Sequence, residues 1–125
     1  MRRFFSALVL LLAAGFAHAL DIQPYTPQAL SALQQQGKPV ALHFHADWCG
    51  TCVEQDRALK QLKADKALPE LTLLVVDYDN NKPLRTQLKI VSQSTFVVYK
   101  GRNEVARSGG ETRADALRAL LSKAL

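Results

Sequence analysis

A predicted strand runs directly into a predicted helix within residues 40–52, which read VALHFHADWCGTC. Larger apolar residues alternate with His43 and His45 along residues 40–46, which is typical of a strand and places both histidines on one face. Residues 49–64 carry apolar side chains at helical spacing, which predicts a helix directly after the strand. A pair of cysteines therefore falls at a strand-to-helix junction.

The two cysteines occupy different positions on this helix. Cys52 recurs with Leu59 and Leu62 on one side of the helix, so we expect its sulfur to face inward. Cys49 stands at the helix start, where unpaired backbone N–H groups and the helix dipole favour an anion. The pattern predicts one reactive and one sheltered sulfur.

The rest of the chain continues the alternation of strands and helices. A short strand is predicted near Ile22, helices over residues 27–36, 83–88 and 112–125, and further strands over residues 71–78, 95–99 and 104–107. Thr112 and Asp115 have the spacing of an approximate capping box at the start of the last helix. The order predicts an α/β fold, with a central mixed β-sheet flanked by helices and a C-terminal β-hairpin plus helix.

The N-terminal residues have the features of a secretory signal peptide. Two arginines precede an apolar run over residues 4–16, and Ala-His-Ala follows at residues 17–19. We expect cleavage before Leu20, which leaves residues 20–125 as one domain that is periplasmic or secreted. The apolar run is too short to be a stable membrane anchor.

Part of the formal net charge of +5 belongs to this export segment. Without Arg2 and Arg3, fourteen basic side chains face eleven acidic ones, and the charge falls to +3. The remaining charges of both signs are scattered along the chain, which favours a solvated surface over a nucleic-acid interface. We therefore expect no nucleic-acid partner, and we expect a monomer.

Both cysteines of the chain lie in one Cys-x-x-Cys motif. The predicted export places them outside the reducing cytosol, where a disulfide can persist. A bond between Cys49 and Cys52 closes so short a loop that it restricts the unfolded chain little, which makes a purely structural role unfavourable. Redox exchange and metal binding remain as functions.

Residues 46–52, Ala-Asp-Trp-Cys-Gly-Thr-Cys, resemble the active-site segment of thioredoxins. Residues 75–79 resemble the central strand of that family, and residues 95–101 resemble the strand and turn before its last hairpin. The resemblance therefore covers most of the predicted mature chain. It implies a thioredoxin-like fold and a thiol-disulfide oxidoreductase. In such an enzyme Cys49 would attack a substrate disulfide as a thiolate, and Cys52 would resolve the mixed disulfide.

The family resemblance also implies partners and a lining for the site. Partners would be exported cysteine-containing proteins and a membrane or periplasmic redox partner that recharges the dithiol, with no cofactor or metal. The residues expected to line the site are Trp48, Gly50, Thr51, Ser94 and Thr95. Thioredoxins carry proline where Thr51 stands, and because this residue lies between the sulfurs, the redox potential stays open.

The buried carboxylate that serves thioredoxins as a proton acceptor aligns with His43, and its lysine partner aligns with Val75. The ordinary pKa of histidine, about 6.5, lies close to neutrality. His43 is therefore a candidate proton acceptor for Cys52, in a resolving step that would depend on pH. The alternative is a neutral core histidine that is hydrogen-bonded to the backbone.

A further departure falls at Ser94, which aligns with the cis-proline that faces the dithiol in thioredoxins. A cis bond before serine costs about 2.5 to 4 kcal/mol, so we expect a trans peptide between Gln93 and Ser94. The Ser94 hydroxyl would then bond a substrate backbone or a cysteine sulfur, or else belong to an ordinary turn.

Two other function classes compete with disulfide exchange. The residues His43, His45, Cys49 and Cys52 form a Cys2His2 set whose ligand types suit Zn²⁺ or Cu(I). The histidines precede the cysteines on a rigid strand, which is the wrong spacing for a zinc finger, so we predict no tight metal site. A redox-inert binding module is the third class, and it would more naturally have lost a cysteine.

Overall fold

The computed structural model describes residues 20–68 and 70–125, and the predicted signal peptide over residues 1–19 lies outside this part of the chain. The strands are β1 Asp21–Pro24, β2 Val40–His45, β3 Thr72–Asp77, β4 Thr95–Lys100 and β5 Asn103–Gly109. The helices are α1 Pro27–Gln35, α2 Gly50–Ala64, α3 Lys82–Leu88 and α4 Ala114–Leu121, and a 3-10 turn follows over Ser122–Ala124. Within the described ranges, none of these helices has the length and apolar character needed to cross a bilayer.

The five strands form one mixed sheet in the order β1-β3-β2-β4-β5. β1 and β2 run parallel to β3, whereas β4 is antiparallel to β2 and β5 is antiparallel to β4. β2 lies at the centre, and its His43 is paired with Val75 of β3 and Phe96 of β4. The predicted α/β fold with a mixed sheet and a C-terminal hairpin plus helix is confirmed.

Each face of the sheet is covered by two helices, because the strand side chains alternate between two apolar layers. On one face Phe96 belongs to a buried core with Leu59 of α2 and Leu117 of α4. On the other face Phe44 belongs to a buried core with side chains of α1 and α3. α2, the helix that carries the dithiol, therefore lies across the face to which His43 points.

Local sequence rules predict the beginning of α1 correctly. Thr26 is the N-cap, and its Oγ1 accepts the N–H of Ala29 at 3.0 Å. Pro27 fills the first helical position, where its missing N–H costs nothing. The capping hydrogen bond and Pro27 lie within four consecutive residues, so no distant contact is needed to place this helix start.

The predicted capping box at Thr112 and Asp115 is wrong. α4 begins at Ala114, its N-cap is Arg113, and the N-cap side chain makes no capping hydrogen bond. The carboxylate of Glu111 accepts the N–H groups of Thr112 at 3.1 Å and of Arg113 at 2.9 Å, which turns the chain before the helix begins. This competing contact explains why α4 starts two residues later than predicted.

The hairpin loop between β4 and β5 is shorter than predicted. Lys100 pairs with Asn103, so only Gly101 and Arg102 connect the two strands. Gly101 has a φ of +61°, a value that two-residue hairpin turns between twisted strands require and that glycine adopts without strain. The sequence predicts the glycine of the turn, but it does not predict the additional pairing of Lys100 with Asn103.

Candidate active site

The two cysteines lie at the junction between β2 and α2, as predicted. Cys49 is the N-cap of α2, with φ −90° and ψ 109°, and its Sγ accepts the backbone N–H of Cys52 at 3.1 Å. Both are free thiols, and both are buried, with exposed fractions of 4% for Cys49 and 0% for Cys52. A sulfur thus fills the capping position that an oxygen usually takes, at the positive end of the helix dipole.

Cys52 is the sheltered sulfur of the pair, and its predicted inward position is confirmed. Burial raises the pKa of the Cys52 thiol to about 11, and the hydrogen bond with Cys49 acts in the same direction. Backbone hydrogen bonds at Ala46 and Ser94 lower this pKa, but they do not outweigh burial. At pH 7 only about one Cys52 thiol in ten thousand is therefore ionised.

Gly50 and Thr51 lie between the cysteines and are exposed at the start of α2. A Cβ placed on Gly50 would meet no atom within 4 Å, so the available space does not demand glycine there. Gly50 and Thr51 are therefore small, exposed residues directly after Cys49.

His43 is fully buried behind the dithiol helix. Its ring stacks on Phe96 with centroids 4.2 Å apart, and its Nε2 lies 2.7 Å from Oε1 of Gln55. Its Nδ1 is buried and has no hydrogen-bond partner among the described residues. His43 is paired with Val75, so these two positions hold an imidazole and an isopropyl group and form no ion pair.

The expectation that His43 titrates near neutrality is wrong. Burial lowers the pKa of His43 to about 4, although the hydrogen bond with Gln55 and the charge of Asp56 raise it. The ring is therefore neutral at pH 5 and above. The stacking on Phe96 and the hydrogen bond with Gln55 favour a neutral core histidine, bonded to a side chain rather than to the backbone.

Ser94 lies in the loop before β4 with a trans peptide on its N-terminal side, as expected, and with a φ of +62°. Its N–H donates to the carbonyl of Phe44 at 2.8 Å, and its hydroxyl donates to the carbonyl of Gln93 at 2.5 Å. The hydroxyl of Thr95 likewise donates to the carbonyl of Ser92 at 2.9 Å. Both hydroxyls are thus engaged within the loop, as in an ordinary turn.

Trp48 is the exposed aromatic residue of the site, with 63% of its surface accessible. Its Nε1 donates to Oδ2 of Asp79 at 2.7 Å, which orients the indole beside the start of α2. The ring borders a groove of about 580 Å³ that His45, Asp47 and Asp77 also line. Trp48 therefore forms one wall of an open groove, and neither cysteine is among the residues that line it.

The histidines and cysteines considered as a metal-ligand set do not converge. Nε2 of His45 lies 2.8 Å from Oδ2 of Asp56, and Nε2 of His43 lies 2.7 Å from Oε1 of Gln55, so both rings contact side chains of α2. In the part of the chain that the structure describes, no three His, Cys, Asp or Glu side chains are grouped as a metal site.

Gln55 is the site residue that the sequence analysis did not identify. It is fully buried on the same side of α2 as Cys52 and Leu59. Its Nε2 donates to the carbonyl of Ser94 at 2.9 Å and to the carbonyl of Glu111 at 3.0 Å. A polar residue on an otherwise apolar helix face was the available signal, because buried amides need hydrogen-bond partners.

Comparison with known proteins gives a consistent result. The thioredoxin family model matches residues 25–123. A thioredoxin of Chlamydia trachomatis is 37% identical over 84 residues, which are 67% of this chain and 80% of that protein. The solved structure of Trxlp from Edwardsiella tarda is 37% identical, with a TM-score of 0.75 over 81% of this chain and 98% of that one. The germline-specific thioredoxin Deadhead of Drosophila melanogaster is 26% identical, with a TM-score of 0.65 over 78% of this chain and 90% of that one.

The family match extends over β2 to β5 and the four helices, and it includes the segment that carries the dithiol. The site itself holds a Cys-x-x-Cys pair at the start of a helix, which is the arrangement that disulfide exchange requires. The family match covers well over half of the chain. The chain therefore belongs to the thioredoxin family, and it is a thiol-disulfide oxidoreductase.

Proposed function

We propose that the protein is exported and exchanges disulfides with cysteine-containing proteins outside the cytosol, with Cys49 as the attacking sulfur. The observation that carries this assignment is the N–H of Cys52, which points at Sγ of Cys49 from 3.1 Å. An N–H donor at a helix start is the arrangement that favours a thiolate, whereas burial keeps Cys52 protonated. Cys52 is then the resolving sulfur.

Exchange takes two steps through a mixed disulfide. The Cys49 thiolate attacks one sulfur of the substrate disulfide and releases the other sulfur, which takes up a proton. Cys52 then loses its proton and attacks Sγ of Cys49, which forms the Cys49–Cys52 disulfide and releases the second substrate thiol. The substrate gains two electrons and the enzyme dithiol loses two. The same steps run backwards when the disulfide form oxidises a substrate dithiol.

Export is supported by the pattern of residues 1–19, in which two arginines, an apolar run and Ala-His-Ala follow the order of a signal peptide. Leu20, the first residue after the predicted cleavage position, is buried, and β1 starts at Asp21. The substrates of the protein would be exported proteins, and a membrane or periplasmic redox partner would recharge the dithiol in the direction that its potential sets.

Fractionation of cells that express the full chain tests export. We expect a product that begins at Leu20 in the periplasmic or secreted fraction, identified by N-terminal sequencing. Replacement of Arg2 and Arg3 by glutamate removes the positive charge that a signal peptide needs, and should leave the uncleaved chain inside the cell. An uncleaved wild-type chain in the cytosol would contradict export.

A glutathione titration tests the exchange itself. Equilibration of the dithiol with glutathione buffers should give a redox potential, which the fluorescence of Trp48 reports because this residue directly precedes Cys49. The double variant Cys49→Ala, Cys52→Ala is the matched control and should give a constant signal. A wild-type protein whose thiols do not respond to the glutathione ratio would contradict the assigned exchange.

A further inference from the structure

The side chain of Gln55 makes three hydrogen bonds that join α2 to three other parts of the fold. Its Oε1 lies 2.7 Å from Nε2 of His43 in β2. Its Nε2 donates to the carbonyl of Ser94 before β4 and to the carbonyl of Glu111 before α4. Because Gln55 is fully buried and both ends of its amide are satisfied, the side chain is a rigid connector between these elements.

These partners fix the orientation of the amide. The carbonyl oxygens of Ser94 and Glu111 can only accept, so the nitrogen of Gln55 must face them and its Oε1 must face His43. Oε1 is an acceptor, so Nε2 of His43 carries the ring proton and Nδ1 carries the lone pair. That Nδ1 is the buried atom without a hydrogen-bond partner among the described residues. Gln55 therefore imposes one tautomer on a neutral ring.

The hydrogen bond from Gln55 to Ser94 concerns the environment of Cys52, the sheltered sulfur. A backbone hydrogen bond at Ser94 lowers the pKa of the Cys52 thiol, although burial has the larger, opposite effect. The carbonyl of Ser94 is held by Gln55 and also by the N–H of Gly110 at 3.0 Å. Gln55 lies one turn after Cys52 on the same buried face of α2, so its hydrogen bond to Ser94 is made beside the sheltered sulfur.

We propose that Gln55 is a positioning residue for disulfide exchange, which holds the Ser94 peptide against Cys52 and keeps His43 in its Nε2–H tautomer. The resolving attack by Cys52 depends on this arrangement. The first attack by Cys49 does not, because the backbone of α2 itself supplies the donor to its sulfur. The inference rests on the disulfide exchange proposed above and adds a residue to it.

The kinetic test replaces Gln55 by methionine, which has a similar length and no amide. In Gln55→Met we expect the resolving step of a stopped-flow reaction with a model disulfide to slow about tenfold, while the attack step changes by less than about twofold. Leu59→Val, one turn along the same buried face, is the matched control because it loses core volume without losing a hydrogen bond. Unchanged resolution in Gln55→Met, or equal slowing in both variants, would overturn the proposal.

A spectroscopic test uses the wild-type protein and so does not depend on the folding of a variant. Long-range proton–nitrogen NMR correlations distinguish the two tautomers of His43. We expect Nε2–H between about pH 5 and pH 8, and loss of this preference in Gln55→Met. An Nδ1–H ring in the wild type would overturn the role of Gln55. A wild type in which Cys49 does not attack would instead overturn the proposed exchange, so the two failures are distinguishable.

Discussion

The dithiol segment, residues 46–52, and the rear pocket, formed by His43, Gln55 and Ser94, meet at Cys52 and are built in different ways. In the dithiol segment the backbone sets the geometry, because the start of α2 presents an N–H to Cys49. In the rear pocket side-chain hydrogen bonds set the geometry, through the amide of Gln55. The first region keeps the residues typical of thioredoxins, apart from its threonine, whereas the second departs from them.

The environments of the two sulfurs are therefore set by different parts of the structure. A helix start favours an anion whatever side chains stand behind it, so Cys49 keeps its environment when the rear pocket changes. Cys52 lies one turn before Gln55 on the same buried face of α2, and its pKa responds to burial and to the Ser94 backbone. On the proposal for Gln55, changes in the rear pocket would alter the resolving step and leave the attack by Cys49 unchanged.

The largest effect is expected from the cysteines, and it tests whether the two sulfurs are unequal. Cys49→Ala should reduce exchange on the order of a thousandfold or more, because the nucleophile is gone. Cys52→Ala should retain the first attack and accumulate mixed disulfides with substrate proteins, detected by non-reducing electrophoresis and mass spectrometry. Mixed disulfides that form through Cys52 in the Cys49→Ala protein would reverse the assignment.

A smaller effect is expected when Ser94 is replaced by the residue that thioredoxins carry. Ser94→Pro should lower the free energy of unfolding by about 3 kcal/mol or more, because proline restricts φ to about −65° and lacks the N–H that Phe44 accepts. Ser94→Gly keeps the N–H and allows a positive φ, so it should stay within about 1 kcal/mol of the wild type. Urea unfolding measures both, and a proline variant as stable as the wild type would show that the rear pocket tolerates the family pattern.

The smallest of the three effects concerns the acid sensitivity of the rear pocket. The pKa of His43 is about 4 in the folded protein and about 6.5 when unfolded, so below pH 6.5 the unfolded chain binds more protons. Protonation of His43 should therefore leave the free energy of unfolding unchanged above pH 6.5. As the pH falls from 6.5 to 4, it should lower the free energy of unfolding by roughly 3 kcal/mol. Urea unfolding at a series of pH values measures this loss.

A matched variant isolates the contribution of His43. His43→Leu fills the buried space without a titrating group, and it retains the other groups whose pKa values are lowered in the fold, such as Asp77 and Glu111. Its stability should therefore fall less steeply between pH 6.5 and pH 4 than that of the wild type. Parallel curves for the two proteins would mean that the folded protein protonates His43 without cost.

Features of the fold that depend on residues close together in the chain could be predicted from the sequence. Thr26 and Pro27 place the start of α1, and the spacing of Cys52 and Leu59 gives the inward face of α2, since these signals lie within a few residues. The start of α4 was predicted wrongly because the carboxylate of Glu111 accepts the N–H of Thr112, which a capping box would give to Asp115. A capping rule does not include such a competitor.

The rear pocket was only partly predictable, because its properties arise from residues that are far apart in the chain. The sequence shows a histidine at position 43, but its low pKa comes from burial beneath α2 and against Phe96. The role of Gln55 depends on carbonyls 39 and 56 residues away, which no local pattern contains. The positive φ of Ser94 likewise depends on its bond to β2.

The burial of Leu20 sets an order of events for an exported chain. Its side chain is 1% exposed, and the N–H of Asp21 donates to the carbonyl of Leu71 at 2.9 Å. A protease needs several accessible, extended residues around the bond that it cuts, and paired residues in a folded sheet do not supply them. β1 lies at the edge of the sheet, so the other four strands can assemble without it. We therefore expect removal of residues 1–19 to come first, and β1 to join β3 only after the new N-terminus exists.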